Sequence, residues 1–257
     1  MYLKEFERLV EIMRRLRKEC PWDRAQTPES LRQYIMEEAY ETIEAIDDKN
    51  WNELKKELGD LLLQIVFQAE IAEEENRFSL ENIIQHINEK LKERHPHVFG
   101  DVKVNNANEV KDNWERIKVE KENRKSILEG LPKIMSALLL AQRIQDKASH
   151  VGFDWENPKD VVKKVNEEIK ELEISINKQN PEEIEAEIGD LIFSLVNLSR
   201  FYKINAEDAL RQTTTKFINR FQYIENKLIE NNHSIQDASL EEMDQLWEEA
   251  KLKFSKD

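Results

Sequence analysis

The chain has 257 residues and a net charge of −14, from 39 Lys and Arg against 53 Asp and Glu. It holds only 5 glycines, 6 prolines and 1 cysteine, with 36% charged and 39% apolar residues. This balance excludes a collagen-like chain, a disulfide scaffold and a membrane-spanning protein, and it argues against binding nucleic acid, whose phosphates call for a basic surface.

In chain order, almost every segment reads as helix. Residues 3–19 place Leu3, Phe6, Leu9, Val10, Met13 and Leu16 at helical spacing. Cys20 to Pro28 reads as a loop, with Cys20 a packed thiol. Thr27-Pro28-Glu29 opens a helix that runs to about Asp48, because a proline fits the first turn. Helices follow from about Trp51 to Glu75 and from Ser79 to just before His95-Pro96-His97. Residues 99–108 read as a loop, and a polar helix runs on to about Arg124. Gly130-Leu131-Pro132 punctuates the chain. The remaining helices are expected at about 133–149, 158–178, 181–203, 205–231 and 239–254. No segment alternates with period two, so the expected class is all-α. The charged first residues lack a signal-peptide core, and the longest apolar runs are too short to span a bilayer. With a single cysteine, this fits a cytoplasmic protein that uses no membrane.

An internal repeat organises the chain. A shift of 130 residues lays Glu37-Glu38-x-x-Glu41 on Glu167-Glu168-x-x-Glu171, and Glu57-x-Gly59-Asp60-Leu61 on Glu187-x-Gly189-Asp190-Leu191. Between 37–68 and 167–198, 11 of 32 positions are identical without a gap. Lys90 and Arg94 then match Lys216 and Arg220 at a shift of 126. The pattern implies a tandem duplication of one helical unit, with units at 1–125 and 126–257.

The repeated residues carry chemistry. Glu38 and Glu41 are three apart and share one side of a helix, beside the apolar stripe Ile35, Ala39, Thr42/Ile43 and Ile46. Glu57 and Asp60 stand in the same relation to Leu54, Leu58, Leu61 and Ile65. In the second copy, Glu168 and Glu171 flank Val165, Ile169, Leu172 and Ile176, while Glu187 and Asp190 flank Ile184, Ile188, Leu191 and Leu195. If the paired stripes pack together, four carboxylates converge in each copy. They cannot all stay ionised in a dry site without a counter-ion. An all-oxygen set favours a hard divalent cation, Mg²⁺ or Mn²⁺, which commonly bridges to substrate phosphates. A water on such a cation is a candidate nucleophile. Gly59 and Gly189 each cost a helix about 1 kcal/mol relative to alanine, so their repetition suggests close packing or room for a ligand. Isolated acidic pairs are ordinarily just a solvated helix face; the pairing and the shared 19-residue spacing set these apart.

Together these residues resemble the MazG family of nucleoside triphosphate pyrophosphohydrolases in its two-domain form. The likeness extends through Cys20-Pro21-Trp22-Asp23, Arg94-His95-Pro96-His97-Val98-Phe99-Gly100-Asp101 and Val151-Gly152-Phe153-Asp154-Trp155. It continues through Lys216-Phe217-x-x-Arg220-Phe221 and Leu240-Glu241-Glu242-Met243-x-x-Leu246-Trp247. The resemblance implies a four-helix-bundle core completed in a homodimer. It also implies Mg²⁺-dependent hydrolysis of NTP or dNTP to monophosphate and pyrophosphate, serving nucleotide-pool housecleaning or regulation. In the favoured second copy it makes Glu168, Glu171, Glu187 and Asp190 metal ligands and Glu167 an assisting base. Lys164, Lys216, Arg220 and Lys251 become phosphate contacts, and Trp247 a stacking platform for the base. The first-copy set Glu38, Glu41, Glu57 and Asp60 is the second candidate. Two positions depart from the family pattern: Thr214 stands where an Asn is usual, and Ala186 where a Glu is common. Read without the resemblance, Phe217 and Phe221 belong to the core, and His95 and His97 are loop caps or surface groups. The rival reading is a non-catalytic acidic helical adaptor. A di-iron bundle would need paired Glu-x-x-His motifs, and only Glu230-x-x-His233 occurs.

Overall fold

The computed structural model describes residues 2–104, 106, 109–110, 113–114, 117 and 126–254. All regular structure among them is helical, as expected. The chain divides into two compact units, Met1–Trp114 and Glu115–Asp257. The polar helix expected up to Arg124 falls mostly outside the described residues.

Unit one contains α1 (Tyr2–Glu19), α2 (Pro21–Ala25), α3 (Arg32–Asp47), α4 (Trp51–Glu74), α5 (Leu80–Arg94) and α6 (Pro96–Phe99). Helix α2 replaces the loop expected after Cys20, because Pro21 sits at its first position and needs no amide donor there. Buried Arg17 holds this corner. It reaches the Asp23 and Gln26 carbonyls and pairs with Glu74 of α4 at 2.5 Å. The turn before α3 is closed by Thr27 and Ser30, each accepting from the other's backbone N–H at 3.0–3.3 Å, and α3 begins only at Arg32. The core of the unit is Met13, Leu31, Val66, Phe67 and Ile71. Ser79 and Asn82 form a capping box on α5.

Unit two contains α7 (Ala137–Ser149), α8 (Pro158–Lys178), α9 (Pro181–Phe201), α10 (Ala206–Glu230) and α11 (Leu240–Lys253). Helix α7 starts four residues later than its apolar pattern suggests, after a turn that follows Pro132. Val161, Val196, Ile224, Leu228 and Ala250 are buried. The two units share one device. In unit one, Lys49 turns left-handed at φ 53° and Asn50 caps α4; in unit two, Gln179 turns at φ 55° and Asn180 caps α9. Each pair folds two long helices into a tight hairpin, α3–α4 and α8–α9.

The faces of these hairpins differ from the sequence expectation. Ile35, Ile43, Ile46, Leu58 and Ile65 are exposed, as are Ile169, Ile176, Ile188 and Leu195. The buried positions include Thr42, Ala45, Glu57 and Gln64, and Glu168, Ser175 and Ser194. Two helices crossing as a hairpin cover only a narrow seam, and here the seam runs along the carboxylate side. The outer part of each apolar stripe has no cover within its own unit among the described residues.

Candidate metal-binding active site

Each hairpin gathers three glutamates. In unit two, Glu168 and Glu171 come from one side of α8 and Glu187 faces them from α9. One carboxylate oxygen of each lies within 4.8 Å of the others. Glu168 is buried at 4% exposure, Glu187 is half-buried and Glu171 is exposed. In unit one, Glu38, Glu41 and Glu57 make the same cluster, with Glu57 the buried member. The fourth acids stand just outside these trios. Asp60 is close enough to Glu38 for its charge to be felt, and Asp190 lines a cavity with Glu168.

The electrostatics mark both clusters as crowded. Lost hydration raises the Glu171 carboxyl above its ordinary value, and the charges of Glu168 and Glu187 push it further. Glu38 is raised by lost hydration and then by Asp60, Glu41 and Glu37. Glu57 is raised by lost hydration and by Glu41. Carboxylates shifted this way favour either a proton or a cation beside them. Unit two partly answers the repulsion with Lys164, whose Nζ donates to Glu167 at 2.6 Å and Glu168 at 2.8 Å. Those bonds raise the lysine above its ordinary value. The residues present fit a hard divalent cation: three convergent carboxylates, no Cys or His in the trio, and raised protonation without it.

A cavity of about 700 Å³ adjoins the unit-two trio. Lys164, Glu168 and Asp190 line it together with Gln145 of α7, Asn197 of α9 and the aromatic loop residues Phe153 and Trp155. Arg200 on α9, only 13% exposed, bonds Asp154 and so pins that loop. The remaining expected contacts lie on α10 and α11. Arg220 sits over the Trp247 ring at 5.5 Å, and Phe217 packs on the same tryptophan at 5.2 Å. The Arg220 Nε is buried without a partner. Lys216 is exposed on the same face of α10, and Lys251 pairs with Glu248. Phe217 does not belong to the core: it is 56% exposed and stacks on Phe221, with ring centroids 6.0 Å apart. Gly59 and Gly189 are not close-packed either, since an added Cβ would meet nothing within 4 Å at either position. Gln145 and Asn197 belong to no spacing motif, so only the folded arrangement exposes them as site residues.

Fold and site thus define an all-α protein built from two hairpins, each bearing a carboxylate cluster suited to a hard cation. Residues 26–99 and 156–224 match the family described as the MazG nucleotide pyrophosphohydrolase domain. The chain is 46% identical over 250 residues to "Nucleoside triphosphate pyrophosphohydrolase/pyrophosphatase MazG" of Thermotoga maritima, covering 96% of this chain and 95% of that protein. It is 40% identical over 257 residues to "Nucleoside triphosphate pyrophosphohydrolase" of Escherichia coli K12, covering 97% and 98%. A solved structure of a "mazG-related protein from Thermotoga maritima" is 31% identical and covers 44% of this chain and 97% of its own, with a TM-score of 0.40. The chain belongs to the MazG family, whose domain occurs in it twice. Among the described residues, no helix is long and apolar enough to cross a membrane.

Proposed function

We propose that the protein hydrolyses nucleoside triphosphates, NTP or dNTP, to the monophosphate and pyrophosphate, with the unit-two hairpin as the working site. The observation that carries this reading is the trio Glu168, Glu171 and Glu187 beside a nucleotide-sized cavity. Glu168, Glu171, Glu187 and Asp190 would hold Mg²⁺, or Mn²⁺ in its place. A cation there supplies an acidified water and offsets charge building on the phosphate oxygens. The chain's own groups do the rest. Lys164 holds Glu167 and Glu168 in place, and its ammonium would be available to pair with a phosphate once a cation neutralised those glutamates. Glu167 is exposed beside Lys164 and serves as proton acceptor at its free carboxylate oxygen during attack on the α-phosphorus. Lys216, Arg220 and Lys251 would contact the triphosphate, and Trp247, which lies beside Arg220, would stack on the base.

The exposed isoleucines on the α8–α9 hairpin support a homodimer in which a second copy covers them and completes a four-helix bundle. The tandem division at 125/126, a cytoplasmic setting and a role in nucleotide housecleaning belong to the same reading. The unit-one trio, Glu38, Glu41 and Glu57 with Asp60 nearby, is a second candidate cation site. The test is pyrophosphate release from a panel of all NTPs and dNTPs, with wild type, Glu168→Gln and Glu38→Gln. Release that depends on Mg²⁺ and is lost in Glu168→Gln supports the reading. Absence of release from every nucleotide supports the adaptor instead.

A further inference from the structure

Arg200 of α9 is the hub of a bonded set on the wall of the unit-two cavity. Its side chain is only 13% exposed. Its Nε and Nη2 both donate to the Asn197 Oδ1, at 3.1 Å and 2.9 Å, one turn back on the same helix. Its Nη2 also donates to the Asp154 carboxylate, across the gap between α9 and the loop that follows α7. A guanidinium has enough donors, in a fixed planar fork, to hold both partners at once. Its face lies over the Phe201 ring at 4.9 Å, which restrains the plane of the fork.

The loop needs that tie. Its backbone bonds to α7 run only as far as Phe153 among the described residues: Val151 and Phe153 donate to the Ala148 carbonyl, and Gly152, at φ 83°, donates to Ser149. Burial adds little, since Val151 and Phe153 are 61% and 83% exposed. Asp154 is the joint beyond that point. Its Oδ1 accepts from the Trp155 backbone N–H at 2.8 Å and from Arg200 as well. Unit one secures the matching place after α1 by other means. Pro21-Trp22-Asp23 opens helix α2 there, and Arg17 of α1 holds the Asp23 and Gln26 carbonyls. Each unit thus pins the segment after its first helix with an arginine, but from a different helix. In unit two the pinned segment also lines the cavity, together with Lys164, Glu168 and Asp190.

We propose that Arg200 is a positioning residue: through Asp154 it holds the loop of residues 150–157 as a preformed wall of the unit-two cavity, and through Asn197 it ties that wall to α9. The proposal rests on the nucleotide reading above and adds to it a group that sets affinity while acting through its neighbours. A wall formed before the ligand arrives spares binding the cost of ordering the loop. Losing the bridge therefore weakens ground-state binding, which is read in KM rather than in kcat. The trio Glu168, Glu171 and Glu187 stands on α8 and α9 themselves, so a cation alone binds as before.

The test compares wild type with Arg200→Gln, Asp154→Asn and the double variant, each as the full chain. Amide hydrogen exchange at residues 150–157 should speed up about tenfold or more in every variant, while α8 exchanges as in wild type. With Mg²⁺ and the nucleotide that the panel above shows to be hydrolysed fastest, KM should rise about tenfold in either single variant. It should rise no further in the double variant, because both changes remove one bridge. The kcat stays within about threefold, and Mn²⁺ binding without nucleotide is unchanged. Arg200→Lys keeps the charge without the fork, and its KM falls between wild type and Arg200→Gln. A rise in Arg200→Gln that Asp154→Asn does not share, or rises that multiply in the double variant, means that Arg200 acts on the ligand directly and overturns the proposal. Equal losses in kcat and kcat/KM overturn it too. If Arg200→Gln does not fold, Asp154→Asn decides alone by exchange and KM. Unchanged KM with normal hydrolysis removes the positioning role and leaves the hydrolase reading standing. No hydrolysis by wild type removes that reading, and this one with it, even where exchange shows the loop set free.

Discussion

Lys164→Met separates the role of the carboxylate trio from its role as ordinary surface charge. Lys164 Nζ lies 2.8 Å from a Glu168 carboxylate that is only 5% exposed, whereas the lysine itself is 34% exposed. Removing the ammonium leaves Glu168 buried without its cationic partner and next to Glu171 and Glu187. An unpaired buried group costs about 1–3 kcal/mol. Solvent reaches the lysine, so the lower half of that range, about 1–2 kcal/mol, is the expected loss in EDTA. For a unit of this size that corresponds to a fall in Tm of roughly 3–8 °C. The lysine's value is raised in the folded state, so its contribution is fully present at neutral pH and is lost only as pH rises through that raised value. Saturating Mg²⁺ places a positive charge at the same glutamates, so the deficit shrinks to less than about half of its EDTA value. Thermal unfolding of wild type and variant, with EDTA and with Mg²⁺, measures both quantities. An unchanged Tm in EDTA, or the same deficit under both conditions, refutes the idea that lysine and cation answer the same charge.

Other outcomes follow from the same geometry. Glu168→Gln and Asp190→Asn each lower pyrophosphate release by at least about a hundredfold while the far-ultraviolet circular dichroism stays helical; normal turnover in both removes the unit-two site. In EDTA, the raised Glu171 carboxyl means the folded state holds its proton more tightly than the unfolded chain does. Stability from this group therefore falls as pH rises from about 4.5 through the raised value, and Glu171→Gln should lose that slope in urea titrations taken across the range. Gly189→Ala meets open space, so it stabilises α9 by up to about 1 kcal/mol; a loss of Tm would show a contact that the fold does not contain. Leu228 is fully buried, and Leu228→Ala costs about 2–5 kcal/mol by chemical denaturation.

The long hairpins were legible in the sequence because their ends carry strong local signals. Asn157-Pro158 and Asn180-Pro181 place a capping side chain directly before a proline at the first helical position, and both asparagines do accept from the helix N-terminus. The trios were legible because Glu-x-x-Glu repeats with a fixed spacing to a second acid in both copies, and a tight turn, Asp48 to Asn50 in unit one and Gln179-Asn180 in unit two, joins the two helices of each hairpin. Burial was less legible. An apolar stripe tells which residues avoid water, but not whether the same unit supplies the cover; Ile188 and Leu195 keep their helical spacing yet lie on the uncovered side. Helix α2 was hidden because five residues are too few to show a period. The cavity was hidden for a different reason. Asn197 and Arg200 bond each other along α9, but Gln145 joins them only through the packing of α7 on α9, and no spacing within one helix encodes that meeting.

Calorimetric titration of Mg²⁺, in the presence of a non-hydrolysable nucleoside triphosphate, reaches the central claim most directly. Wild type should bind cation and nucleotide together, and replacing both Glu168 and Glu171 by glutamine should abolish that linked heat while unit one remains as an internal reference. Equal heats from wild type and the double variant would mean that the α8–α9 glutamates are surface charges and that the cation, if any, is held elsewhere.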